Sequence, residues 1–254
     1  LIFGSIRTVV NKTGVHDMVS TSVKKALVLG GSRGIGAAIV RRLSSEGMQV
    51  TFTYSASEER AKSLAEETGG DAVRLDSSDR EALIAAIGQQ GAIDVLVVNA
   101  GVAVAGDPLG MDPNEVDRLF SININAPYHA AVTAARHMPN GGRIVFIGST
   151  NADRSPMNGL AAYGASKAAL KGMVKGLARD FGDRQITVNV VQPGPTDTDM
   201  NPAGGEMKDL MHSFMAIKRH AHVSEVAAMV AWLASHEAAM VTGAALTIDG
   251  GMAA

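Results

Sequence analysis

The chain has 254 residues with 46% hydrophobic and 19% charged content, the proportions of a folded globular protein rather than a disordered one. Its 23 Lys and Arg against 25 Asp and Glu leave a net charge of −2, which excludes a broad electrostatic footprint for nucleic acid or an anionic membrane, and no apolar run is long enough to span a bilayer. Zero cysteines exclude disulfides, thiolate catalysis and Cys-ligated metal centres, and fit a reducing cytoplasm.

Residues 1–19 show no clean period and no signal-cleavage pattern, and Met18 just ahead of Val-Ser-Thr-Ser-Val-Lys-Lys offers a natural start. They read as a leader outside the fold, with 20–254 as one domain. The run Ala26-Leu-Val-Leu is continuously apolar, as a strand buried on both faces is. Helix is predicted over 34–46, where Ile35, Ala38, Ile39 and Leu43 share a face. Strand 50–54 and helix 57–68 follow, then strand 71–75 and helix 79–90, then strand 93–98 and one long helix over 112–137. Strand 143–148, helix 161–181, strand 186–191, helix 224–234 and strand 244–248 complete the alternation. Such a pattern predicts a doubly wound α/β fold of Rossmann type, with about seven parallel strands and helices on both faces.

Between the first strand and its helix stands Gly30-Gly-Ser-Arg-Gly-Ile-Gly36. Glycines at a first βα turn permit a tight bend and close approach of backbone to a pyrophosphate, while the helix behind offers unpaired N–H groups and the positive end of its dipole. Gly30, Ser32, Arg33, Gly34, Ile35 and Gly36 are therefore predicted to hold the phosphates of a dinucleotide. An NAD site usually carries an acid at the end of the second strand. Here that stretch is Thr53-Tyr-Ser-Ala-Ser57, without a carboxylate. Arg33, with Tyr54, Ser55 and Ser57, suits a ribose 2′-phosphate instead, so NADP(H) is predicted over NAD(H).

Tyr163 and Lys167 lie four residues apart on one helix face. An ammonium beside a phenol stabilises the phenolate and draws the tyrosine toward a useful general acid. Ser149 follows the strand 143–148, at the carboxyl edge where open α/β sheets bind ligands. A Tyr-x-x-x-Lys spacing alone is common on amphipathic helices; it gains meaning beside the glycine turn and Ser149.

In this combination the chain resembles the short-chain dehydrogenase/reductase family, from about Lys24 to Gly251. The family's Thr-Gly-x-x-x-Gly-x-Gly appears with Leu29 in place of the threonine, and its Asn-Asn-Ala-Gly appears as Val98-Asn99-Ala100-Gly101. Both departures put apolar for polar near the central strands. The resemblance implies that Asp76, with Ser77 beside it, bonds the adenine. Asn99, Ala100 and Gly101 border the cofactor, and Pro193, Gly194, Thr196 and Thr198 cover the nicotinamide. It implies a catalytic set of Asn123, Ser149, Tyr163 and Lys167, with Asn125 the weaker choice for the helix asparagine. Tyr163 would protonate a carbonyl reduced by hydride, while Lys167 lowers its pKa and holds the cofactor ribose. Val241-Thr-Gly and Ile248-Asp-Gly-Gly match the family's last strand, commonly used in tetramers, so a homotetramer is implied.

The general layout is similar to 3-oxoacyl-carrier-protein reductases, although Leu29, Val98 and the 152–156 loop depart from them. Runs such as Ala-Pro-Tyr-His-Ala and Met-Ala-Ile-Lys-Arg-His resemble a bacterial branch associated with cyclic-di-GMP. That likeness suggests cyclic-di-GMP as an alternative ligand for a regulatory protein; no residue pattern independently calls for it. His212, His220 and His222 lack carboxylates in ligand spacing and read as polar loop residues, with no metal. Met207, Met211, Phe214 and Met215 recur at helical spacing within 201–217, reading either as ordinary packing or as a soft apolar wall for substrate. Lys218-Arg219-His220 reads as a solvated charge cluster, or as a greeting for an anionic substrate or protein-borne carrier.

Overall fold

The computed structural model describes residues 23–254, so the leader expected over 1–19 lies outside the described residues. Seven strands, β1 (Lys25–Leu29), β2 (Gln49–Tyr54), β3 (Asp71–Arg74), β4 (Val95–Val98), β5 (Arg143–Ile147), β6 (Thr187–Pro193) and β7 (Ala245–Ile248), form one sheet in the order β3-β2-β1-β4-β5-β6-β7. All pairs are parallel. The continuous apolar runs follow from burial on both faces. Ala26 and Val28 of β1 pack with Val95 and Val97 of β4 under α1 (Gly34–Ser45), α2 (Glu58–Thr68) and α8 (Val223–Ala234). The alternate residues Leu27, Leu29, Leu96 and Val98 pack against α3 (Arg80–Gln89), α5 (Ala126–His137) and α6 (Ala161–Asp180). Few aromatics are needed because small and branched side chains fill both layers.

The predicted long helix is interrupted. Helix α4 (Pro113–Phe120) passes into a π-helical turn (Ser121–Asn125) before α5, with the Ala126 N–H reaching Ser121 O five residues back. Pro127 gives the physical reason. It has no N–H for a carbonyl four or five residues earlier, at Asn123 or Ile122, so a regular helix cannot run through. Of the stretch 201–217, in which Met207, Met211, Phe214 and Met215 recur at helical spacing, only α7 (Lys208–Ser213) is helical.

Strand order reverses between β1 and β4, and the loops leaving these neighbours diverge. That is where an open α/β sheet forms its crevice. The two loops meet at their base: a Cβ on Gly30, which has φ +76°, would stand 2.8 Å from the Ala100 backbone.

Candidate active site

A cavity of about 820 Å³ runs along the carboxyl edge of the sheet. Of the predicted cofactor residues, all but Gly36 line it. Gly36 serves the turn from behind: a Cβ there would lie 2.1 Å from Gly30 O. Arg33 is the N-cap of α1 in extended conformation, offers no side-chain cap, and no acid follows in the first turn. By contrast α3 and α4 are capped by Asp79 and Asp112. The amide donors at the start of α1 are thus left for an anion, which fits the pyrophosphate of a dinucleotide.

The departures from the family motifs have local explanations. Leu29 is buried in the lower core layer, and the Gly30 N–H beside it is bonded across the sheet, where Thr53 Oγ1 accepts from it at 3.0 Å. Thr53 was not legible as a site residue because its alternation reads as ordinary strand. Val98 likewise belongs to the core. Asn99 turns its amide to Gly30 O at 2.6 Å and staples the glycine turn. Asp76 accepts from both the N–H and the hydroxyl of Ser78, which hold its carboxyl below the usual range and keep it an acceptor. Arg118 of α4 adds positive charge beside it, a partner the sequence did not reveal.

Ser149, Tyr163 and Lys167 converge at the other part of the cavity. Ser149 ends the approach from β5 as the cap of a short 3-10 turn, its Oγ accepting from Asn151 N–H at 3.1 Å. Burial pushes the Tyr163 phenol up, and the Ser149 hydroxyl bonded to it works against that rise. Lys167 is buried; its Nζ donates to Ile147 O at 3.0 Å and sits 5.8 Å from the centre of the Tyr163 ring. Loss of water lowers its pKa to about 8. The expected depression of the phenol by Lys167 is therefore corrected: within the protein alone, dehydration dominates and keeps the phenol protonated.

Asn123 does not line the cavity. It is buried in the π turn, its side chain exchanging bonds with the Val102 backbone at 2.9 and 3.0 Å and donating to Ser166 Oγ at 3.0 Å. It still comes close to Lys167, because a Cβ on Gly101 would stand 3.3 Å from Lys167 Nζ and 3.4 Å from Asn123 Oδ1. Since Pro127 cannot donate, the helical pattern offers the carbonyls of this turn one amide fewer. The loop after β6 crosses the glycine turn, with Thr198 Cγ2 3.3 Å from where a Gly34 Cβ would be.

Asp249 escaped the sequence reading as a site residue. Its buried carboxylate accepts from Thr150 Oγ1, Gly251 N–H and Ala253 N–H, each at 2.8 Å. Gly194 is pressed against it, with N–H bonded to Ile248 O at 3.0 Å. The last strand thereby clamps the residue next to Ser149 and the start of the covering loop. Met207, Met211 and Phe214 line the cavity, whereas Met215 is buried against Gly250. His212 Nε2 and His220 Nδ1 lie 2.9 Å apart, and His222 caps α8. Among the described residues no three metal-ligating side chains gather. No helix there is long and apolar enough to cross a membrane.

Comparison with known proteins agrees with this architecture. The family model described as Enoyl-(Acyl carrier protein) reductase matches residues 30–253. The Cyclic-di-GMP-binding biofilm dispersal mediator protein of Escherichia coli (strain K12) is 62% identical over 231 residues, covering 91% of this chain and 98% of the relative. The 3-oxoacyl-acyl-carrier-protein reductase MabA of Mycobacterium tuberculosis (strain ATCC 25618 / H37Rv) is 36% identical over 232 residues, covering 90% and 92%. The crystal structure of BdcA in complex with NADPH superposes with a TM-score of 0.89 at 62% identity, covering 90% of this chain and 93% of that one. The chain belongs to the short-chain dehydrogenase/reductase family.

Proposed function

We propose that the protein is an NADPH-dependent carbonyl reductase of the short-chain type, with Tyr163 as general acid. The observation that carries this reading is one cavity with Arg33, Ser55 and Ser57 at one end, no carboxylate closing β2, and Ser149, Tyr163 and Lys167 farther along. NADPH in the BdcA structure supports the same cofactor. The chemistry that a bound nicotinamide supplies is hydride delivery to the carbonyl carbon. Ser149 Oγ and Tyr163 Oη donate hydrogen bonds to the carbonyl oxygen, and Tyr163 passes its proton to that oxygen as charge develops there. Lys167 holds positive charge beside the phenol and would hold the ribose hydroxyls of the bound cofactor. The Ser121–Asn125 turn, deprived of one amide donor by Pro127, would seat the water through which Lys167 regains a proton. Tyr163→Phe should lower turnover by about 10²–10⁴-fold, the usual worth of a general acid, while NADPH binding in a fluorescence titration stays within twofold. Wild-type turnover by that variant would overturn the reading.

The 62% identical relative named for cyclic-di-GMP favours a second reading, a regulatory protein on the same fold. Thermal-shift measurements with NADPH, NADH and cyclic-di-GMP separate the two, because a ligand that binds the native state raises apparent stability. Stabilisation by cyclic-di-GMP and not by NADPH would replace the first reading with the second. The exposed Ala245 and Thr247 of the edge strand β7 support the family's tetramer as the assembly, which light scattering tests.

A further inference from the structure

The cavity is electrically divided. Among the described residues, the charged side chains that line it are Arg33, Asp76, Arg118, Lys167 and Asp199. Arg33 and Asp76 follow β1 and β3, on one side of the sheet, and Arg118 faces Asp76 while Asp199 faces Arg33. Lys167 sits at the reaction centre, tied to Ile147 O. Beyond Ser149 and Tyr163 the wall changes to Val104, Met157, Leu160, Met207, Met211 and Phe214. These come together because Gly159 packs on Gly106, bringing the 102–106 and 156–160 loops into contact, and because Phe214 and Met252 both meet Arg154.

Of the cations near this end, Lys208 and Lys218 do not line the cavity, and others are engaged elsewhere. Arg154 stacks over the Phe214 ring and donates to Met252 O without lining the cavity. Arg219 forks onto Glu225 at 2.7 and 2.8 Å, and His220 is buried against His212. A carboxylate, phosphate or ammonium on the substrate would leave water and find no counter-charge there. Asn151 and Asn201 supply uncharged polar atoms to the lining, so hydroxyl or ether groups are compatible.

We infer that this end of the cavity selects an uncharged, predominantly apolar carbonyl compound, seated against polarisable methionine sulfurs and the Phe214 ring, and rejects acids, phosphate esters and amines. The inference rests on the reductase reading for the word substrate, but its ligand class is testable by binding alone.

The test uses three ketones of one shape: acetophenone, 4-acetylbenzoate and a 4-acetylphenyl trimethylammonium salt. Each is added to the NADPH-loaded protein, with melting temperature and NADPH consumption both followed. Acetophenone should raise the melting temperature at millimolar concentration and show kcat/KM at least about 100-fold above either charged analogue, the discrimination expected when a buried charge lacks a partner. Met211→Arg should narrow or reverse the preference against the benzoate. Binding or turnover of the benzoate or the ammonium salt equal to that of acetophenone overturns the assignment, as does stabilisation by none of the three. Stabilisation by acetophenone alone without NADPH consumption upholds the ligand class and sinks the reductase reading.

Discussion

Lys167 is held in the fold at a cost that can be measured. Its pKa falls from an ordinary 10.5 to about 8 because burial strips the ammonium of water. At about 1.4 kcal/mol for each tenfold change, that depression is worth about 3 kcal/mol against the folded state. Below pH 8 both the folded and unfolded chains carry the proton, so the penalty is full and constant. Between 8 and 10.5 the folded lysine is neutral while the unfolded one still binds a proton, and stability rises with pH. Roughly 2.5 kcal/mol of the penalty is relieved by pH 10. Lys167→Met removes the ammonium but leaves Ile147 O without its donor, a loss of about 1 kcal/mol. The variant should therefore gain about 2 kcal/mol at pH 7, or about 4–8 °C in Tm for a chain of this size. Urea unfolding of both proteins without cofactor, at matched concentration, should show the gain vanishing or reversing at pH 10. A variant less stable at pH 7, or a difference equal at both pH values, would refute the reasoning.

Arg33→Ala should weaken NADPH by about 10–100-fold, the worth of a charge-assisted bond, and leave NADH within about twofold; equal losses for both cofactors in a fluorescence titration would remove Arg33 from the 2′-phosphate. Asp249→Ala strands three donors, and should cost about 2–4 kcal/mol in chemical denaturation, with activity declining through Ser149 rather than through NADPH affinity. The pH profile of reductive kcat/KM should fall on its alkaline side near 8, where Lys167 loses its charge, because this parameter reports the free enzyme. The raised phenol titrates later. A profile flat to pH 9.5 would separate the Lys167 charge from catalysis.

The parallel sheet was legible because burial on both faces writes itself as unbroken apolar runs such as Ala26-Leu-Val-Leu, and the glycine turn because it stands between the first such run and a helical pattern. Ser149, Tyr163 and Lys167 were legible only as a combination; the fold is what brings the carboxyl end of β5 to the first turns of α6. The π turn was hidden because Ser-Ile-Asn-Ile-Asn carries a helical pattern, and only Pro127 marks the missing donor. Thr53 and Asp249 were hidden for another reason. Each acts through a bond to a residue 23 or 99 positions away, and no local periodicity encodes such a pairing.

The same long-range logic explains how the chain departs from its family's motifs without losing the cleft. Placing Leu29 in the lower layer and Val98 beside it extends the core beneath the two loops that diverge at the switch point. The glycine turn above them is held from both sides, Thr53 taking the Gly30 N–H and Asn99 giving to the Gly30 carbonyl. One residue, at φ +76°, is thus gripped at both its polar atoms, and its missing Cβ lets Ala100 close against it. A turn fixed in this way is preorganised, so less conformational entropy is left to be lost when an anion arrives at the bare start of α1. The two apolar replacements lie in the core beneath the turn, while the turn itself is gripped by Thr53 and Asn99 and the start of α1 carries no side-chain cap to compete with an anion.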